Sequence, residues 1–100
     1  MQIKHAATAG TMESNDLLVT IEPSGEGLEL YVESPVIHQF GKQIRKVTEE
    51  TLRGLGVENA RVSIVDKGAL DCTIRARVEC AVYRAADASQ SGIPWGGGAK

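Results

Sequence analysis

Residues 69–86 read ALDCTIRARVECAVYRAA, and the reading of this run decides the fold. Two periodicities compete in it. Leu70, Cys72, Ile74, Ala76, Val78, Cys80 and Val82 fit a repeat of two, the mark of a strand. Leu70, Ile74, Val78, Ala81, Val82 and Ala85 fit a repeat of 3.6, the mark of a helix with one apolar face. The run is too long for an ordinary strand. Alanine thickens toward its end, and Asp71 and Arg75 stand as an i,i+4 pair. The spacing predicts a helix.

The neighbouring segments then fall into place. Asp66-Lys67-Gly68 reads as a strand-to-helix turn, and 58–65 before it alternates Ala60, Val62 and Ile64 with Arg61, Ser63 and Val65. Leu28, Leu30 and Val32 alternate with Glu29, Tyr31 and Glu33, a half-buried strand with a polar outer face. Leu17, Val19 and Ile21 alternate with Leu18, Thr20 and Glu22. Segment 6–13 is weakly extended, with Gly10 permitting a bulge or a close approach. Ser14-Asn15-Asp16 is a run of turn formers, and Pro23 to Gly27 is a loop.

A second helix is expected from Ser34-Pro35, where Ser can cap orphan amides and Pro suits the first helical position. Its stripe is Ile37, Phe40, Ile44, Val47, Thr51 and Leu55. Arg45–Glu49, Lys46–Glu50 and Glu49–Arg53 are i,i+4 pairs on the charged face. Gly41 inside this helix costs about 1 kcal/mol against Ala and suggests close packing. Gly54 and Gly56 can end the helix. The order is β-β-β-α-β-α. The expected fold is α+β: a single two-layer domain, with a mainly antiparallel sheet covered on one face by two helices. Residues 1–86 form that domain, and 87–100, DASQSGIPWGGGAK, read as a flexible tail.

Composition narrows the function classes. The chain has 100 residues, 42% of them hydrophobic and only four aromatic, so the core is built from Val, Ile, Leu and Ala. The net charge of -2 gives no general field for nucleic acid or an anionic membrane surface. No apolar run approaches the ~18 residues of a membrane span. The first twelve residues hold one Lys and no apolar block after it, so no signal peptide is expected. A helical Cys72–Cys80 spacing separates the Cα atoms by ~12 Å and an extended one by ~27 Å. A disulfide needs ~7 Å or less, so two free thiols are expected, as in a reducing cytoplasm.

Residues that could carry chemistry are few. No phosphate-binding loop, dinucleotide fingerprint, zinc spacing or nucleophile elbow occurs. Both Cys read as small buried apolar residues, and His5 and His38 as surface residues. Asp71, Arg75 and Arg77 read as a solvated face in preference to an anion site. Trp95 is an unusual residue for a tail and suits docking on a partner or on the domain itself. Ser14 lies in a polar turn between two extended segments, which projects its hydroxyl into solvent at a tip of the domain. No His or Lys is near it in sequence to activate it, so it suits a modifying enzyme better than catalysis.

Several blocks resemble one family. Gly10-Thr11-Met12-Glu13-Ser14-Asn15-Asp16, Gln39-Phe40-Gly41 with Ile44-Arg45, Asp66-Lys67-Gly68-Ala69-Leu70-Asp71-Cys72, Arg75-Ala76-Arg77-Val78-Glu79 and Ile93-Pro94-Trp95 are similar to the acyl carrier (γ) subunits of citrate lyase. The resemblance runs from near residue 4 to Trp95, and the GGGAK ending departs from the family's acidic tail.

It implies that Ser14 carries 2'-(5''-phosphoribosyl)-3'-dephospho-CoA through a phosphodiester bond. The thiol of that group would carry acetyl and citryl groups while larger α and β subunits cleave citrate to acetate and oxaloacetate. The resemblance further implies a prosthetic-group transferase as partner, with Glu13 and Asp16 as its nearest recognition candidates, no catalytic residue in this chain, no metal and a cytoplasmic setting. The common four-helix acyl carriers, strongly acidic with the attachment Ser at a helix start, do not match.

Three alternatives stand beside this one. The carrier subunit of malonate decarboxylase uses the same type of group. An unmodified α+β interaction module suits the ordinary composition. A small enzyme would need an acid, base or nucleophile constellation, which the chain does not show.

Overall fold

The computed structural model describes residues 1–87 and places six elements along them. They are β1 (Ala7–Gly10), β2 (Leu17–Glu22), β3 (Leu28–Glu33), α1 (Ile37–Gly54), β4 (Ala60–Asp66) and α2 (Asp71–Ala85). The order is the expected β-β-β-α-β-α, and the strands form one sheet in the order β1-β2-β4-β3. Two of the three pairings, β1–β2 and β2–β4, are antiparallel. The third, β3–β4, is parallel, because α1 returns the chain across one layer before β4 begins. The two helices cover one face, as the one-sided strands require.

That face is the core. Leu17, Val19 and Ile21 of β2 and Ala60, Val62 and Ile64 of β4 point into it and are buried. Ile44, Val47 and Leu52 of α1 and Ile74, Val78, Ala81, Val82 and Ala85 of α2 meet them. Each fully buried Val, Leu or Ile contributes roughly 1.5–3 kcal/mol relative to an exposed one. The ambiguous run 69–86 is helical, and burial sides with the 3.6 repeat: Leu70 and Cys72 are exposed while Ile74, Val78, Ala81 and Val82 are not. Leu70, which both repeats included, precedes the helix at 70% exposure.

Local corrections follow from side-chain hydrogen bonds. The α1 helix begins at Ile37, two residues beyond the expected Pro35 start. The Ser34 hydroxyl does accept from the Val36 amide (3.1 Å), but it also donates to Asp66 (2.9 Å), which fixes a turn ahead of the helix. The stripe is offset from the expected one. Gly41, Thr48 and Leu52 face inward, Phe40 is exposed and Thr51 is half-buried. Thr48 sits in the core because its hydroxyl donates to the Ile44 carbonyl (2.8 Å), leaving its methyl for packing. Of the three predicted α1 ion pairs, only Glu49–Arg53 forms, at 3.7 Å.

Arg45 instead donates to the Leu30 carbonyl on edge strand β3 (3.1 Å). On the opposite edge Arg84 donates to the Thr8 carbonyl of β1 (2.7 Å). An arginine from each helix therefore occupies an outward carbonyl of each edge strand, where another chain could otherwise pair.

Candidate functional site

Gly10 pairs with Leu18 and Leu17 with Asp66, so the β1–β2 connection lies beside the end of β4. The starts of both helices fall at this same end. The Ser34–Asp66 bond ties the approach to α1 there, and Asp66 also accepts from the Ala69 amide (2.9 Å) ahead of α2. Asp66 is buried, so its place is a tie between two helix entrances rather than a plain exposed turn residue.

Ser14 sits in the connection 11–16 and is exposed. Its hydroxyl forms no hydrogen bond among the described residues. The turn around it closes by Asp16 N–H donating to the Glu13 carbonyl (3.2 Å), which makes Ser14 and Asn15 its two central residues. Asn15 has φ +66°, a left-handed conformation that Asn tolerates better than most residues. The turn is tied to the β4–α2 loop twice. The Asn15 amide donates to the Lys67 carbonyl (2.8 Å), and the Lys67 amide to the Asp16 carbonyl (2.9 Å).

Side chains close the frame. The Asp16 carboxylate accepts from the Thr11 hydroxyl (2.7 Å), the Leu17 amide (2.8 Å) and both arms of the Arg77 guanidinium (3.0 and 2.9 Å). The Thr11 hydroxyl in turn accepts from the Glu13 amide (3.2 Å). Hydrogen bonds from Arg77 and Thr11, assisted by the Leu17 amide and the Arg77 charge, pull the Asp16 carboxyl down to about 2. The same pairing raises Arg77. Asp16 is therefore a carboxylate throughout the physiological range.

The sequence-derived candidates divide here. Ser14 and Glu13 face outward, and the Glu13 carboxylate has no partner among the described residues. Asp16 faces inward and is fully engaged. Asp71, Arg75 and Arg77 do not converge: Arg77 goes to Asp16, Asp71 accepts from Gln43 of α1 (2.8 Å), and Arg75 stays exposed. Cys72 is exposed and Cys80 half-buried, not the buried pair expected, and both are free. His5 and His38 are on the surface as expected, and His5 hydrogen-bonds Asp87. Trp95 and the expected tail lie outside the described residues, Asp87 excepted.

Thr11 and Arg77 as supports of the Ser14 turn were not visible in the sequence. Arg77 and Asp16 are 61 residues apart, and no periodicity links them. Among the described residues, no group of His, Cys, Asp or Glu is placed to hold a metal, and no helix is long and apolar enough to cross a membrane.

What the arrangement offers is an exposed hydroxyl oxygen held out on a tied turn with no base hydrogen-bonded to it among the described residues, suited to bearing a group rather than to reacting by itself. Comparison with known proteins gives the chain's relatives. The family model described as "Malonate decarboxylase delta subunit (MdcD)" matches residues 4–85. The citrate lyase acyl carrier protein of Lacticaseibacillus casei is 56% identical over 87 residues, 87% of this chain and 86% of that protein. Its counterpart in Streptococcus mutans is 59% identical, covering 86% and 85%, and that of Rhodopseudomonas palustris 55%, covering 87% and 90%. Among solved structures, homoserine kinase from Cytophaga hutchinsonii is similar in fold alone. It has a TM-score of 0.56 at 11% identity over 86% of this chain, which spans 36% of the kinase chain.

Proposed function

The chain belongs to the family of citrate lyase acyl carrier proteins, and on that premise we propose that Ser14 is the attachment point of its prosthetic group. The role is that of a carrier, not a catalyst, and the small size with no acid–base constellation suits it. The observation that carries the assignment is the exposed Ser14 hydroxyl, without a hydrogen-bond partner among the described residues, on a turn fixed from three sides.

The local residues fit a phosphodiester there. The new anion would lie near Asp16, but that charge is already compensated by Arg77, which removes most of the repulsion. The group itself is phosphoribosyl-dephospho-CoA, whose terminal thiol, when attached, carries acetyl and citryl groups on a long arm. This chain's residues supply the anchor and its orientation. Tethering keeps the acyl group at high effective concentration near both active sites of the larger α and β subunits. The prosthetic-group transferase reads the turn, and Glu13 is the acidic residue left available to it. Asp16 acts on that step through the shape of the turn. Two free thiols suit a cytoplasmic setting.

Intact and peptide mass spectrometry of chain produced with its modification enzymes tests this. A mass increment on the Ser14 peptide is expected. Ser14→Ala abolishes it while keeping the fold, since an exposed turn substitution costs under ~0.5 kcal/mol. An increment retained by Ser14→Ala would sink the assignment. A second reading, a carrier for malonate decarboxylase, draws on the description of the matching family model. Reconstituted complexes separate the two by citrate cleavage against malonate decarboxylation.

A further inference from the structure

The turn that presents Ser14 is short, polar and lies outside the hydrophobic core, so nothing apolar holds it in one conformation. Its shape rests on polar ties, and most of these converge on one residue, the Asn15 amide to the Lys67 carbonyl being a separate tie. Asp16 closes the turn through its amide, ties it to Lys67 through its carbonyl, and binds Thr11, the Leu17 amide and Arg77 through its side chain. Among the described residues, Arg77 is the only contributor to the Asp16 carboxylate from outside the β1–β2 connection and its strand. It comes from the second turn of α2, a helix whose other face is locked in the core.

Gly10 completes the arrangement. It is at φ +96°, and a Cβ there would fall 1.9 Å from the Leu17 carbonyl oxygen and 3.4 Å from the Arg77 Cδ. The missing side chain leaves room both for the chain reversal and for the Arg77 stem to reach Asp16.

We infer that Arg77 is the positioning residue of the carrier: through its two-pronged pairing with Asp16 it holds the Ser14 turn in the one shape that the prosthetic-group transferase accepts. This inference rests on the attachment reading above. A planar guanidinium fixes a carboxylate in position and in rotation together, which an ammonium cannot do. Without it, Asp16 keeps its local partners but loses its link to the rigid helix. The turn then samples other conformations, and the fraction competent for modification falls. A partner that binds only the competent form sees an apparent affinity reduced by that fraction. The effect therefore falls on KM for the carrier and spares kcat.

The experiment follows loading of the full chain by its transferase, with the phosphoribosyl-dephospho-CoA donor in excess, by intact mass at a temperature where every variant is folded. For Arg77→Ala, KM for the carrier rises on the order of tenfold or more with kcat little changed. Arg77→Lys recovers part of the loss. Asp16→Ala with Arg77→Ala is no worse than Asp16→Ala alone, because the two act through one contact. Amide exchange in Arg77→Ala quickens at residues 13–17 while β4 and α1 keep wild-type protection. Wild-type KM for Arg77→Ala, or multiplying losses in the double variant, overturns the inference. If wild-type chain takes no increment at Ser14, the attachment reading fails. The exchange measurement then judges the clamp alone, and unchanged protection at 13–17 overturns it.

Discussion

The two ends of strand β2 lead into loops of similar length and opposite character. At its start, residues 11–16 are drawn tight: two backbone bonds to Lys67, an ion pair to α2 and a hydroxyl–carboxylate bond inside the loop. At its end, residues 23–27 border an open depression of about 540 Å³ lined by Met1, Ile3, Pro23, Gly25, Gly56, Glu58 and Asn59. That second loop is held by Ser24 accepting from the Glu26 amide, by the Asn59 side chain accepting from the Gly27 amide, and by the Ala60 amide on the Gly27 carbonyl. The far end has the larger of the two depressions, but the Ser24 hydroxyl on its border is engaged by Glu29 and the Glu26 amide. The near end has the free Ser14 hydroxyl, with a smaller depression of about 290 Å³ nearby that Ser34, Asp66 and Lys67 help to line. For a catalyst the first would be the natural place to look. On the proposed reading a carrier needs the second, a fixed point to which its group is attached.

A glycine bordering the near loop and one within the far loop give the largest contrast. Gly10→Ala forces a side chain into a left-handed backbone and against the Leu17 carbonyl, and the strand pair must open to accommodate it. The expected cost is on the order of 3 kcal/mol, or roughly 12 °C or more in Tm for a domain of this size. Gly25→Ala meets nothing within 4 Å. It is expected to be neutral or to stabilise by up to about 1 kcal/mol through the unfolded chain. Thermal unfolding of the two variants side by side checks this. Equal losses would mean that the near loop is no more constrained than the far one.

The acid response of the near end is the next largest effect. Asp16 is held at about 2, against an ordinary 3.8. A carboxyl depressed on folding contributes stability that is full above its unfolded value and lost as pH falls through its folded value. Asp16→Asn should therefore cost about 1 kcal/mol near neutrality, a figure kept low because Arg77 is 40% exposed. The deficit should shrink between about pH 4 and pH 2. Unfolding midpoints for the two proteins across that range give the answer. A deficit that stays constant into acid would mean that the charge on Asp16 does not hold the turn.

The contrast between the ends also marks what could be read from the sequence. Five of the six elements were legible because each carries its own period: Leu17-Val19-Ile21 and Ala60-Val62-Ile64 alternate, and Ile74-Val78-Ala81-Val82-Ala85 step at 3.6, while the short β1 read only as weakly extended. The inward face of α1 was legible only in part, since Gly41 and Thr48 face the core without being hydrophobic. Ser14 as an exposed turn residue followed from its neighbours, Asn15 and Asp16. The reading of Ser14 as an attachment point came from family resemblance and not from the turn chemistry. The supports of that turn were hidden for a physical reason. A polar contact between Asp16 and Arg77 leaves no periodic trace, and it exists only because sheet order places α2 beside the β1–β2 connection. Asp66 was hidden in the same way: as part of Asp66-Lys67-Gly68 it reads as a turn former, while in the fold it is buried and joins two helix entrances.

The smallest effect belongs to the far end. There His5 hydrogen-bonds Asp87, and the Lys4 and His5 amides both donate to the Ala85 carbonyl, so the segment before β1 is stitched to the end of α2. The Ala6 carbonyl and then Asp87 favour the protonated imidazole and raise its pKa above the ordinary 6.5. The sign is opposite to that of Asp16. A group whose pKa rises on folding contributes stability that is complete below its unfolded value and disappears as pH climbs through its folded value. His5→Gln should lower the unfolding midpoint slightly below about pH 6.5, with the difference vanishing as pH climbs through the raised folded-state pKa. The shift is small because both side chains are at least half exposed and the pair is screened by solvent. Salt should weaken it further, while the partly buried Asp16 clamp responds less. A His5→Gln deficit that persists above the folded-state pKa would show that the imidazole acts here by packing rather than by charge.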